Sequence, residues 1–200
     1  MDDGKISEAM KSMNIVFGSS QIKKEGKFKV LSDFLGFIGD NPQYESDLDK
    51  VIQSFSSEDN GKFYEQIGGY YNAKGDKEAA LRFYEKGATH DEDNFSLIKS
   101  TLLLQIDVNK FDEAVALSEN ALAKFPAQPL LYLLNGVANN RLSNADAALE
   151  SLEMGVDFLI DDKQMEKDFY EQMALAYTQK GNKKKASTFT KKASELNTPD

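Results

Sequence analysis

Small residues recur in this sequence at a fixed spacing, and this periodicity limits the possible folds more than any other feature. With repeat starts at Gly61, Phe95, Pro129 and Lys167, the spacings are 34, 34 and 38 residues, so the last spacing contains a four-residue insertion. A period of this size is typical of helical-repeat proteins, in which each unit is one pair of helices.

The same positions of the repeats carry the same kinds of residue. The twentieth and twenty-seventh positions are small throughout, which lets the second helix approach its neighbours closely: Ala80, Ala114, Ala148 and Ala186, then Gly87, Ala121, Gly155 and Ala193. The fourth position is large and the eighth is mostly small, with Leu102 as the exception. The fifteenth position carries residues that tolerate a left-handed backbone and predicts the turn between the two helices: Gly75, Asn109, Ser143 and Gly181.

These patterns predict an all-α fold, a right-handed α-solenoid of antiparallel helix pairs with no β-sheet. Four repeats are expected in residues 61–200, at 61–94, 95–128, 129–162 with an insertion to 166, and 167–200. Residues 1–60 lack the period but carry helically spaced apolar residues in 23–38 and 44–55. We expect irregular N-terminal helices there, forming a degenerate helix pair, with a further helix at residues 6–15.

The repeats resemble the tetratricopeptide family, whose pattern includes Leu-Gly, Tyr, Ala, Phe, Ala and Pro at set positions. The resemblance is carried by residues 64–71 (YEQIGGYY), 75–80 (GDKEAA) and 110–114 (KFDEA), with Phe125 and Pro126. It extends over residues 61–200. The sequence departs from the family pattern because it has no Trp and has Thr101-Leu102 in place of Leu-Gly.

The resemblance implies a concave surface formed by the first helix of each repeat, and with it a non-catalytic scaffold that binds a peptide or protein surface. We call the residues expected there the groove: Lys99, Leu103, Ile106, Leu130, Leu133, Val137, Asn140, Arg141 and Leu175. Two alternatives remain open. Another segment of the same molecule could fill the groove, or some of these residues could belong to the core. The competing function is a structural spacer or a self-association module within a longer protein.

The composition excludes several other functions. The chain has no Cys and a single His, so it offers no thiolate chemistry, and we expect no enzyme activity, cofactor or metal site. A net charge of -9 argues against a nucleic-acid partner. No apolar run is long enough for membrane insertion. The lysines at 183–185 and 191–192 are interpreted as a solvated helix face rather than a site for an anionic partner.

The opening segment at residues 16–24 (VFGSSQIKK) also resembles that of tetratricopeptide proteins of Bacteroidetes-type bacteria. That resemblance implies a fragment of a longer bacterial protein, in a periplasmic or envelope-associated location, with the cytoplasm as the alternative. The identity of the partner does not follow from the sequence.

Overall fold

The structure is a computed structural model that describes residues 3–55 and 61–196. Within those ranges the chain is helical and has no strand. The helices are α1 Asp3–Gly18, α2 Lys24–Asp40, a 3-10 helix Pro42–Asp47, α3 Leu48–Phe55, α4 Gly61–Ala73, α5 Lys77–His90, α6 Phe95–Asp107, α7 Phe111–Lys124, α8 Pro129–Arg141, α9 Ala145–Val156, α10 Lys163–Gln179 and α11 Lys183–Glu195. The predicted all-α fold is therefore confirmed.

The chain divides into two compact units, residues 1–97 and 98–200. The division at residue 60 between the irregular helices and the repeats stays a prediction, and the last four residues of the fourth repeat lie outside the described residues. Each predicted repeat start from Gly61 to Pro129 coincides with the first residue of a helix. At the fourth repeat, α10 begins at Lys163, four residues before Lys167, so the insertion adds one helical turn.

The first unit has a core rich in aromatic residues. Phe17 on α1 packs edge-to-face on Phe34 of α2, with ring centroids 6.4 Å apart. Outside the core, Lys74 at the end of α4 contacts Glu45 of the 3-10 helix at 2.6 Å. The four described helices that precede α4 share this core with it, and the 3-10 helix adds the ionic contact. The cluster consists of Phe17, Phe28, Leu31, Phe34, Leu35, Ile38, Leu48, Val51, Phe63, Tyr64, Ile67, Tyr70 and Phe83.

Small residues occupy the closest helix contacts. Gly68 lies against the ring of Tyr84 in the α4–α5 pair, and Gly136 lies against Leu152 in the α8–α9 pair. Gly155 lies against Tyr132 and the ring of Phe169. A Cβ atom at any of these glycines would overlap side-chain atoms, which explains the small residues recurring in the sequence.

The four turns within the helix pairs share one backbone geometry. The fifteenth-position residues have φ values of 81°, 63°, 61° and 70°, at Gly75, Asn109, Ser143 and Gly181. In each turn the next residue donates its N–H to the carbonyl five residues earlier, as from Asn144 to Asn139 at 2.8 Å. This pattern closes a helix through a left-handed residue. The turn positions predicted from the sequence are confirmed.

Replacing Ser143 with glycine is expected to stabilise the second unit by about 0.5 to 1 kcal/mol, because a left-handed conformation is unfavourable for serine and not for glycine. The side chain is exposed, so its removal sacrifices no packing. Urea unfolding followed by circular dichroism measures the change. Ser143→Ala is the control, since alanine keeps the Cβ atom and the strain. An equal effect of the two substitutions would contradict the explanation.

Candidate functional site

Helices α8 and α10, the first helices of the third and fourth repeats, are joined by amide side chains. Asn140 Nδ2 donates to the carbonyl and to Oε1 of Gln172, each at 3.0 Å. Gln179 Nε2 donates in return to the carbonyl of Asn140 at 2.9 Å. These hydrogen bonds fix the spacing of the two helices at the carboxyl end of α8.

The groove residues predicted from the sequence all belong to the second unit, but they differ in exposure. Leu103 and Leu175 are large apolar residues with 46% and 41% of their surface exposed. Lys99 and Arg141 are exposed, and the remaining apolar members Ile106, Leu130 and Val137 are half-buried. These seven side chains are within reach of a partner.

Leu133 and Asn140 are buried, with 7% and 3% of their surface exposed. Leu133 belongs to the hydrophobic cluster of the second unit. Asn140 holds α8 against α10, and its Oδ1 atom is buried with no hydrogen-bond partner among the described residues. Both residues lie on α8, the first helix of the third repeat, as their position in the repeat predicts. Their side chains, however, contribute to packing and are not available to a partner.

The accessible apolar residues follow the repeat. Leu103, Val137 and Leu175 occupy the ninth position of the second, third and fourth repeats. Lys99 lies one turn before Leu103 and Arg141 one turn after Val137, whereas Glu171 lies one turn before Leu175. The α6 and α8 part of this surface therefore offers apolar anchoring sites with cations beside them to a segment that carries negative charge.

A buried polar network lies beneath this surface and was not anticipated from the sequence. Asn135 Nδ2 on α8 donates to Ser118 Oγ on α7 at 2.9 Å, and Asn139 Nδ2 donates to Asn135 Oδ1 at 3.0 Å. Ser118 donates to the carbonyl of Ala114 at 2.7 Å. The seventh and eleventh positions, which are apolar or aromatic in the first and fourth repeats, are polar in the two middle repeats.

The connection from α9 to α10 carries an exposed apolar cluster that sequence reasoning also missed. We call Met154, Phe158 and Ile160 the apolar knob. Ile160 is 86% exposed, and the other two are also exposed. Phe158 stacks on Tyr132, with ring centroids 5.5 Å apart. The signal available in the sequence was the run 158–160, three consecutive large apolar residues in a connection, whereas the connection 91–94 (DEDN) is entirely polar and 125–128 (FPAQ) has one large apolar residue.

The lysine-rich helix α11 uses two of its lysines on aromatic rings. Lys185 Nζ lies 4.7 Å from the ring centroid of Tyr177, and Lys192 Nζ lies 5.0 Å from that of Tyr170. The hydrogen bond from Lys185 to the Tyr177 hydroxyl raises the pKa of Lys185. Burial and a hydrogen bond to Glu166 raise the pKa of Tyr170 to about 12. These contacts give the basic face of α11 a structural role in covering the last helix pair.

The single histidine of the chain is the last residue of α5. His90 stacks on Tyr64 with ring centroids 5.5 Å apart. Throughout the described ranges, no three His, Asp or Glu side chains come close enough together to hold a metal ion. A search of the same ranges for a helix with the length and apolarity needed to cross a bilayer found none.

Comparison with solved structures places the fold among tetratricopeptide-type proteins. MamA 41-end from Desulfovibrio magneticus RS-1 has a TM-score of 0.62 and 16% identity, with 82% of this chain and 94% of that chain covered. MamA AMB-1 has a TM-score of 0.61 and 19% identity, and the match covers 98% of this chain and 100% of that chain. YrrB, described as a TPR protein with an unusual peptide-binding site, has a TM-score of 0.66 and 18% identity, and the match covers 84% of this chain and 85% of that chain. No family model and no curated protein matches the sequence.

These likenesses establish the helical-repeat fold expected from the sequence. At such low identity they do not carry the groove residues over to this chain. The resemblance to Bacteroidetes-type proteins and the expected fragment status both stay predictions.

Proposed function

We propose that this chain is a non-catalytic protein-interaction scaffold and that the groove of its second unit binds a peptide or protein surface. The observation that carries the proposal is the exposure of Leu103 and Leu175 at equivalent repeat positions, on first helices that also carry Lys99 and Arg141. A chain that used this surface only as a spacer would have no need for large apolar side chains there. The fold it shares with YrrB, a peptide-binding TPR protein by its description, supports the same function.

The partner expected for this groove has apolar anchors and acidic flanks. The apolar anchors would bury Leu103, Val137 and Leu175, and the acidic groups would pair with Lys99 and Arg141. Rim charges of this kind raise the association rate and select the partner more than they add affinity. The compartment is proposed to be periplasmic or envelope-associated.

The double substitution of Leu103 and Leu175 to glutamate is expected to weaken partner capture about tenfold or more, because it places charge where apolar side chains must be desolvated. Crosslinking pulldowns from lysate and envelope fractions of the source organism measure the loss. Ile15→Glu is the matched control, since Ile15 is 71% exposed on α1 of the other unit. The unfolding free energy of both variants should stay within about 0.5 kcal/mol of the native value.

Equal capture by the native protein and the groove variant would overturn the proposal. A third variant separates binding from folding. Leu133→Glu is expected to unfold the second unit, because Leu133 lies in the hydrophobic cluster and its replacement buries an unpaired charge.

A further inference from the structure

The connection that carries the apolar knob is unlike the other connections between repeats. Residues 91–94 and 125–128 link successive helix pairs with four residues each, whereas α9 and α10 are separated by the six residues 157–162. The longer connection turns Phe158 and Ile160 toward solvent, next to Met154 on the last turn of α9. Phe158 follows the end of α9 in a turn closed by its N–H on the carbonyl of Gly155 at 3.1 Å, and it lies four residues after the exposed Met154.

The knob is held in place on both sides. Phe158 stacks on Tyr132, and Gly155 packs closely against Tyr132 and Phe169. On the other side, Asp161 has a left-handed backbone with φ of 50°. Asp162 then accepts a hydrogen bond from the N–H of Met165 at 2.9 Å and caps α10. A fixed apolar projection loses little conformational freedom on binding, which favours its use as an anchor.

The charges around the knob complement those of the groove. The segment 153–162 (EMGVDFLIDD) contains four acidic residues and no basic residue. In the groove, Lys99 lies one turn before the exposed Leu103 and Arg141 lies one turn after Val137, whereas the exposed Glu171 lies one turn before Leu175. The acidic flanks of the knob therefore complement the α6 and α8 part of the groove, where the apolar residues have cations beside them.

We propose that the groove of one copy of this chain binds the knob of a second copy. This inference rests on the proposed function, because it names the occupant of the groove. The knob belongs to a fixed part of the chain, with Phe158 stacked on Tyr132 and Asp162 capping α10, and not to a free segment that could fold back into its own groove. Because knob and groove are different surfaces, the contact is head-to-tail, and an open assembly of any length leaves one knob available at one end and one groove at the other.

Helix α11 is the other basic surface that could receive the acidic knob, and it fits less well. Its outer face exposes Ser187, Thr188 and Thr190 and offers no large apolar side chain to bury Phe158 or Ile160. Its aromatic Phe189 is already packed between Tyr170 and Tyr177. The groove supplies both the charge and the apolar surface.

Sedimentation velocity of the full chain over about 1 to 500 µM tests the inference, with complementary variants. The native chain should associate with increasing concentration, and more weakly at high salt. A knob variant, Met154→Lys with Ile160→Lys, and a groove variant, Leu103→Glu with Leu175→Glu, should each weaken association about tenfold or more and remain near the monomer mass of 22.3 kDa.

The decisive experiment mixes the two variants. The knob variant keeps its groove and the groove variant keeps its knob, so an equimolar mixture should form a 1:1 dimer near twice 22.3 kDa and nothing larger. Ile15→Glu should associate like the native chain. The inference is overturned if the native chain is monomeric throughout, if either variant associates normally, or if the folded variants do not combine. A monomeric native chain whose groove still captures a different protein would leave the proposed function standing.

Discussion

Substituting alanine for Gly155 is expected to destabilise the second unit by about 3 kcal/mol or more, although alanine is the better helix former. A Cβ atom there would lie 2.8 Å from two ring atoms of Phe169 and still closer to the Cβ of Tyr132. Phe169 is fully buried and cannot move aside. The overlap must therefore be relieved by separating α9 from α8 and α10, which disturbs the hydrophobic cluster.

Urea unfolding followed by circular dichroism at 222 nm measures this loss. Gly36→Ala is the matched control, because Gly36 lies in the interior of α2 with no atom within 4 Å of its added Cβ. There the gain in helix propensity should raise stability by about 0.5 to 1 kcal/mol. If both substitutions stabilised the protein, close packing at the twenty-seventh repeat position would not explain its small residues.

Replacing Asn135 with aspartate is expected to cost several kcal/mol at pH 7, although the two side chains have nearly the same shape. Asn135 is buried, donates to Ser118 and accepts from Asn139. A carboxylate loses the first of these bonds and places an unpaired negative charge in the interior.

The loss should depend on pH. Burial raises the pKa of the new carboxyl in the folded state above its value of about 3.9 in the unfolded state. The variant should therefore be close to native stability below that pH, and it should lose about 1.4 kcal/mol per pH unit until the pH passes the folded-state pKa. Urea midpoints at pH 5 and pH 7.5 measure the slope. Asn120→Asp on the exposed face of α7 should show no such slope, and a flat response at position 135 would contradict the buried network.

The sequence predicted the parts of this structure that repeat. The left-handed turns, as at Ser143, are determined by local backbone geometry, and the small residues at the twentieth position, as at Ala148, by a helix contact that recurs in every repeat. The helices of the first unit were also predicted, since their apolar residues follow helical spacing. All of these features appear in the sequence as a recurring spacing of residue types.

Features specific to one repeat were harder to predict. Position alone placed Leu133 and Asn140 in the groove, but exposure depends on how deeply each first helix sits against its neighbours, and both are buried. The polar network at Asn135 and Asn139 occupies positions whose residue type changes from repeat to repeat, so the repeat pattern made no prediction for them. Ile160 was missed because it lies in the connection between two repeats, where the first two repeats have Glu92 and Pro126 at the equivalent position.

The four short turns also determine how the chain can reach its folded state. Each helix pair is connected by three residues, as in 74–76 and 142–144, so its two helices meet after the closure of a very small loop. The entropy lost in closing such loops is low, and contacts between sequence neighbours favour folding on a fast timescale. A chain emerging from the ribosome can therefore complete one helix pair at a time, with each finished pair serving as the template for the next.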